Sequence, residues 1–246
     1  SYLYIRCPPV CPVFLQVISI LYSKYRICQI IYWMYYIQFY SCIFLSLCYN
    51  ILKREGKPYK TRKGNDMSYS LILDTETTSL DKPFCYDISW VIMDNDTGTI
   101  VDMKANVVEQ VWHNLPLFES AYYKDKRQKY ILMMRKHDAI MDKWGYIMKT
   151  LKQDIKRYSI SEIYAYNSDF DDKVISYNCD WYKCQNPLDN IPVYDIWGYA
   201  SQFITNNIDY QLFCEQYKRF TDTGNYKGSA EVVYQYLTNT PDFIIY

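Results

Sequence analysis

The chain has 246 residues, half of them hydrophobic and 18% aromatic, with only 7 Gly and 9 Pro. That is enough for one sizeable domain or two small ones, and it excludes a collagen-like, linker-like or mainly disordered polymer. The formal net charge of zero averages two unlike parts: residues 1–66 hold 9 of the 27 Lys+Arg and 2 of the 27 Asp+Glu (+7), which leaves 18 basic and 25 acidic side chains (−7) for residues 67–246.

In the first part, Ile27 to Leu52 carries no charged side chain and is bracketed by Lys24 and Arg26 before it and Lys53 and Arg54 after it. A charge-free apolar run of more than about 20 residues is long enough to cross a bilayer as a helix. The basic excess that follows would then keep residues 67–246 in the cytoplasm. A second reading competes with this anchor. The chain begins with Ser, Met67 stands where a recognisable domain starts, and the segment is crowded with Tyr, Ile and five of the nine Cys, as translated AT-rich non-coding DNA is. Lys63-Gly64 also requires a purine-rich codon run just upstream of Met67, where a ribosome-binding site would lie. The expectation is that residues 1–66 are an extension absent from the natural protein, with an anchor at 27–52 as the alternative.

From Met67 onward the patterns alternate between strand and helix. Leu71-Ile72-Leu73 is a short apolar run closed by acidic residues, a buried strand. Asp87 to Met93 and Thr99 to Val108 are rich in Ile and Val and flank Asn95-Asp96-Thr97-Gly98, a turn signal, so they form a hairpin. Arg127 to Tyr158 reads as helical, with Ile140, Trp144, Ile147, Met148, Leu151 and Ile155 on one stripe. Glu162 to Tyr166 returns to strand, Ser168 to Tyr177 to a short helix, Val193 to Ile196 to a fifth strand, and Gly228 to Leu237 to a last helix. This order is an α/β layout. Cys85, Cys179, Cys184 and Cys214 are scattered; the one close pair has no second pair to complete a zinc site, so free thiols in a reducing compartment are expected.

The chemistry-bearing stretch is Leu71-Ile72-Leu73-Asp74-Thr75-Glu76-Thr77-Thr78-Ser79-Leu80. Residues two apart on a strand share a face, so Asp74 and Glu76 project together. Two adjacent carboxylates repel, and burying them is costly unless a cation intervenes. Hard oxygen donors of this kind suit Mg²⁺ or Mn²⁺.

Asp-Thr-Glu-Thr-Thr-Ser-Leu resembles the first motif of the DEDD 3′–5′ exonucleases, Asp-X-Glu-Thr-Thr-Gly-Leu, a family that includes proofreading exonucleases, ribonuclease T and oligoribonuclease. Asn167-Ser168-Asp169-Phe170-Asp171, after the strand at Glu162 to Tyr166, is similar to the second motif, Asn-X-X-Phe-Asp. Asp195-Ile196-Trp197 and the later Gly-Asn-Tyr-Lys and Ala-Glu-Val-Val-Tyr stretches look like phage-encoded members. The resemblance spans nearly all of residues 67–246. It implies a ribonuclease H-like mixed sheet, its first three strands antiparallel and later ones parallel, flanked by helices. It also implies two Mg²⁺ or Mn²⁺ held by Asp74, Glu76 and Asp171, with Thr77 and Leu80 at the terminal nucleotide, Asn167 as a helix cap and Phe170 in the core. The implied partner is the 3′ end of single-stranded DNA or RNA, and beyond it a polymerase or replication complex.

The third motif, His-X-Ala-X-X-Asp or Tyr-X-X-X-Asp, is not met. The only histidines, His113 and His137, precede the second motif. Tyr226 and Glu231 keep the His-to-Asp spacing with both residue types changed. The expectation is that the chain stops short of the motif and that its turnover is impaired. The acidic balance gives no broad basic footprint for nucleic acid; Lys124, Lys126, Arg127 and Lys129 form one local run that could follow a phosphate backbone or be a solvated surface. The competing functions are a catalytically silent nucleic-acid-binding module on the same fold and a membrane-tethered protein.

Overall fold

The computed structural model describes residues 68–121 and 124–243. The expectations for residues 1–66, an untranslated extension or an anchor at 27–52, lie outside the described residues. Among the described residues no helix is long and apolar enough to cross a membrane.

Three strands open the domain: β1 (Tyr69–Thr77), β2 (Cys85–Asp94) and β3 (Ile100–Val108). Two single turns, α1 (Glu109–Trp112) and α2 (Leu115–Phe118), lead to a 3₁₀ turn at Lys124–Lys126 and to α3 (Arg127–Arg135). Next come β4 (Ile140–Asp142), α4 (Trp144–Arg157), β5 (Ile163–Ala165), α5 (Ser168–Tyr182) and β6 (Val193–Asp195). The last elements are α6 (Ile196–Ala200), a π-helical turn at Ser201–Thr205, α7 (Ile208–Tyr217) and α8 (Ala230–Thr238).

The strands form one six-stranded sheet in the order β4-β3-β2-β1-β5-β6. β2 runs antiparallel to both β1 and β3, whereas β4, β5 and β6 pair parallel with their neighbours. This is the mixed, helix-flanked sheet expected from the sequence, and it is consistent with a ribonuclease H-like arrangement. β1 lies inside the sheet between β2 and β5, which explains its composition: Leu71, Ile72 and Leu73 are all fully buried because both faces are covered. The Asn95–Gly98 turn closes the hairpin as its residues predict. The Asp94 carboxylate accepts the amides of Asp96 and Thr97 at 2.8 and 3.0 Å, and Gly98 takes a left-handed φ of 69°.

The helical stretch expected over Arg127 to Tyr158 is broken. β4 interrupts it and pairs with β3, so Ile140 is a strand residue, 60% exposed, and not the head of a helical stripe. Of the rest of the stripe, Trp144, Ile147, Met148 and Leu151 are buried on α4 and Ile155 is half-buried. Three residues of strand are too few to show a period of two, and the flanking helices mask them. α5 runs five residues beyond its expected end, to Tyr182.

α4 is tied to the sheet through a buried polar group. Asp154 accepts the Trp90 indole N–H at 3.0 Å and pairs with Lys104 at 2.9 Å; Lys104 also reaches Asp102 at 3.3 Å. The four cysteines of the described residues are free thiols, and Cys85, Cys179 and Cys214 are buried.

Candidate functional site

The C-terminal end of β1 presents Asp74 and Glu76, both partly exposed, where the flanking Leu73 and Thr75 are buried. In the β1–β2 register Glu76 faces Asp87 and Asp74 faces Ser89. Directly opposed residues of an antiparallel pair share a face, so Asp74, Glu76 and Asp87 lie on one side of the sheet. Each acid there has company. The Lys126 Nζ stands 3.2 Å from Glu76 Oε1. Tyr130 Oη donates to Asp87 Oδ2 at 2.7 Å, and Ser89 Oγ to Asp87 Oδ1 at 3.1 Å. Burial, helped by the charge of Glu76, lifts the Asp87 carboxyl to about 6 against the pull of Tyr130, Ser89 and Lys126.

Asp171 arrives from the first turn of α5. Thr75 N–H and Thr75 Oγ1 both donate to Asp171 Oδ1, at 2.9 and 2.7 Å. Thr75 lies between the two acids, so Asp171 anchors on the residue that separates Asp74 from Glu76, near enough to feel the charge of Glu76. It is 2% exposed. Burial, with Glu76 adding its charge, pushes its carboxyl up to about 7 despite the two Thr75 bonds. The buried Cys85 thiol reports the same neighbourhood: burial raises it well above its ordinary value, and Asp87, Asp171 and Glu76 each push it further.

The start of α5 is fixed by a residue outside the motif. Asp195, at the end of β6, accepts Asn167 N–H at 2.9 Å and Ser168 N–H at 3.3 Å. It also caps α6 through Trp197 N–H at 3.0 Å and Gly198 N–H at 2.9 Å. One carboxylate thus holds the N-termini of two helices, where unpaired amides and the helix dipole favour negative charge. Asn167 stands at the cap position but makes no side-chain cap bond. What it supplies is a left-handed backbone, φ 69° and ψ 57°, which Asn tolerates better than most residues. Phe170 is half-buried rather than a deep core residue. A second clamp holds the β1–β2 loop on α5. Asn178, fully buried, donates to Pro83 and Val174 carbonyls at 2.8 Å each and accepts the Cys85 amide at 3.2 Å.

Of the residues read as substrate contacts, Leu80 is 74% exposed on that loop, and Thr77 Oγ1 donates to the Ser79 carbonyl at 3.2 Å. Tyr226, the mimic of a third-motif residue, hydrogen-bonds Glu215 at 2.8 Å and pairs with Phe220 in a small bridge. Asp87, Tyr130 and Asp195 escaped sequence reasoning as site residues, and Lys126 entered it only as part of a basic run that could follow a phosphate backbone. Asp87 was signalled only by being the one acid inside an otherwise buried strand; the other three are identified by contacts across the fold.

Among the described residues no group of three or more His, Cys, Asp or Glu side chains is already drawn together around a point where a metal ion could sit. The donors are nevertheless of the right chemical kind. Asp74, Glu76 and Asp171 offer oxygen only, as hard divalent cations prefer, and a cation, the Lys126 ammonium, already rests on Glu76. No family model matches the sequence, and no curated protein matches it either.

Proposed function

We propose that the domain over residues 68–243 is a metal-dependent 3′–5′ exonuclease of the DEDD type, acting on the end of a single strand of DNA or RNA. One observation carries the reading: a carboxylate 96 residues away, Asp171, is fastened to the backbone amide and hydroxyl of Thr75, the residue between Asp74 and Glu76. Sequence motifs far apart on the chain thereby meet at one strand end.

Bound by Asp74, Glu76 and Asp171, two divalent ions would supply the charge that stabilises in-line displacement at phosphorus. The chain's own residues do the rest. The Thr75 bonds keep Asp171 in one rotamer, and Asp195 keeps α5 at the height where that rotamer reaches β1. Leu80, exposed beside the site, offers an apolar surface to the terminal base, and the loop that carries it is held by Asn178.

The test is release of mononucleotides from 3′-labelled single strands of DNA and of RNA with Mg²⁺ or Mn²⁺, in wild-type chain and in Asp74→Ala. Cleavage that is lost in the variant supports the reading, and the two substrates separate the sugar specificity, which rests on contacts to the 2′-OH. The alternative is a silent nucleic-acid-binding module on the same fold. Metal-dependent binding of the same strands without cleavage would select it.

A further inference from the structure

The contact between Lys126 and Glu76 sits awkwardly with a purely structural ion pair. Glu76 is one of the three proposed cation ligands, and both side chains remain about one-fifth to one-quarter exposed, so a solute can reach them. The backbone that presents Lys126 is pinned next to it. The Arg127 guanidinium lies over the rings of Trp112 and Phe118 at 4.9 and 5.3 Å, and Tyr130 is buried and bonded to Asp87. Only the flexible four-carbon stem of Lys126 is left to move. Lys129 lies close by; its burial and the neighbouring Lys126 lower its ammonium, while Asp87 and Glu76 pull the other way. The opposed acids Glu76 and Asp87 thus have one ammonium, Lys126, in contact with Glu76 and a second, Lys129, within electrostatic reach.

A divalent cation on Glu76 changes the sign of what Lys126 meets. The ammonium then faces like charge within a few ångströms, an arrangement that is unfavourable until an anion stands between them. In a phosphodiester site that anion is a phosphate oxygen of the strand.

We propose that Lys126 is an internal counter-ion that occupies Glu76 while the site is cation-free and passes to the substrate phosphate once a divalent cation has taken Glu76. This rests on the nuclease reading above. Lys126 is therefore a competitor of the cation and, in turn, a positioning residue for the strand, two roles with opposite consequences on mutation.

The experiment uses the full chain and Lys126→Gln, Lys126→Arg and Lys124→Gln variants, each checked for an unchanged circular dichroism spectrum. Mn²⁺ affinity is measured by electron paramagnetic resonance without nucleic acid. Affinity for a single-stranded oligonucleotide is then measured across a salt series with Ca²⁺ in place of the catalytic ion. Lys126→Gln should bind Mn²⁺ roughly two- to five-fold more tightly, the worth of a partly exposed ion pair. It should bind the oligonucleotide more weakly, with a log–log salt slope shallower by about 0.7, one phosphate contact on a single strand. Lys126→Arg should keep both properties near wild type. Lys124→Gln, which removes an equal charge from the exposed turn, should leave Mn²⁺ affinity unchanged. Unaltered or weaker Mn²⁺ binding by Lys126→Gln overturns the counter-ion role, and an unaltered salt slope overturns the phosphate role, each with the nuclease reading intact. Failure of the wild-type chain to bind Mn²⁺ at all overturns the nuclease reading and this inference together.

Discussion

Asp171 is a buried acid whose carboxyl is raised from 3.8 to about 7, with Asp87 raised to about 6 nearby. A folded-state value above the unfolded one means that the native chain holds protons the unfolded chain has released, so stability is greatest at low pH and is lost as pH rises through the folded value. Between pH 5 and 8, metal-free chain should lose on the order of a few kcal/mol of stability, read as a falling urea midpoint. Mg²⁺ should restore more stability at pH 8, where both acids are charged, than at pH 5. A flat or rising profile in metal-free buffer would contradict the electrostatic picture. Asp171→Asn keeps an oxygen that can accept both Thr75 bonds but removes the charge; the variant should match or exceed wild type in stability at pH 8 and lose Mn²⁺ affinity.

At the scale of elements, the site depends on how α5 is hung. Asp195 gathers the amides that begin α5 and α6. Its replacement by Ala should cost about 1–2 kcal/mol, the range for losing an N-cap. Because α5 carries Asp171, Mn²⁺ affinity should fall with it, although Asp195 is not proposed as a ligand. Gly198→Ala should act in the same direction more mildly, since a Cβ there would stand 3.1 Å from Asp195 Oδ2. Asn178 is the second hanger. With Ala in its place the Cys85 amide and the Pro83 carbonyl lose a buried partner, at a cost of roughly 1–3 kcal/mol in chemical denaturation. A loss under half of that would mean that water enters the loop and replaces the side chain.

For the whole domain, the order β4-β3-β2-β1-β5-β6 puts the strand bearing Asp74 and Glu76 inside the sheet and two of its three three-residue strands, β4 and β6, at the edges. The fully buried side chains run from Leu71 to Val233, so one cooperative core spans the described residues. A chain begun at Met67 should therefore melt in a single transition. In hydrogen exchange β1 and β2 should be the last to open, and the three-residue edge strands β4 and β6 among the first. Early exchange in β1 would show that the carboxylates lack a rigid base.

The motif Asp74-Thr75-Glu76, the buried run before it and the helix that begins near Ser168 were legible from residue types and spacing, because side-chain alternation on a strand and apolar periodicity on a helix are local properties of the chain. The α/β layout followed from the order of those elements, and the mixed sheet was implied by the resemblance of the two motifs. β4 was not legible: three residues are too few to carry a period, and its pairing with β3 is a contact between distant parts of the chain. Nor could spacing show that Asn167 contributes a left-handed backbone rather than a side-chain cap, that Asp195 fixes two helix starts, or that Lys126 rests on Glu76. Those are matters of which groups meet in space. The acids available were written in the sequence, whereas their partners, and hence their protonation, were decided by tertiary packing, because desolvation and Coulomb energy depend on distance through the fold and not on distance along the chain.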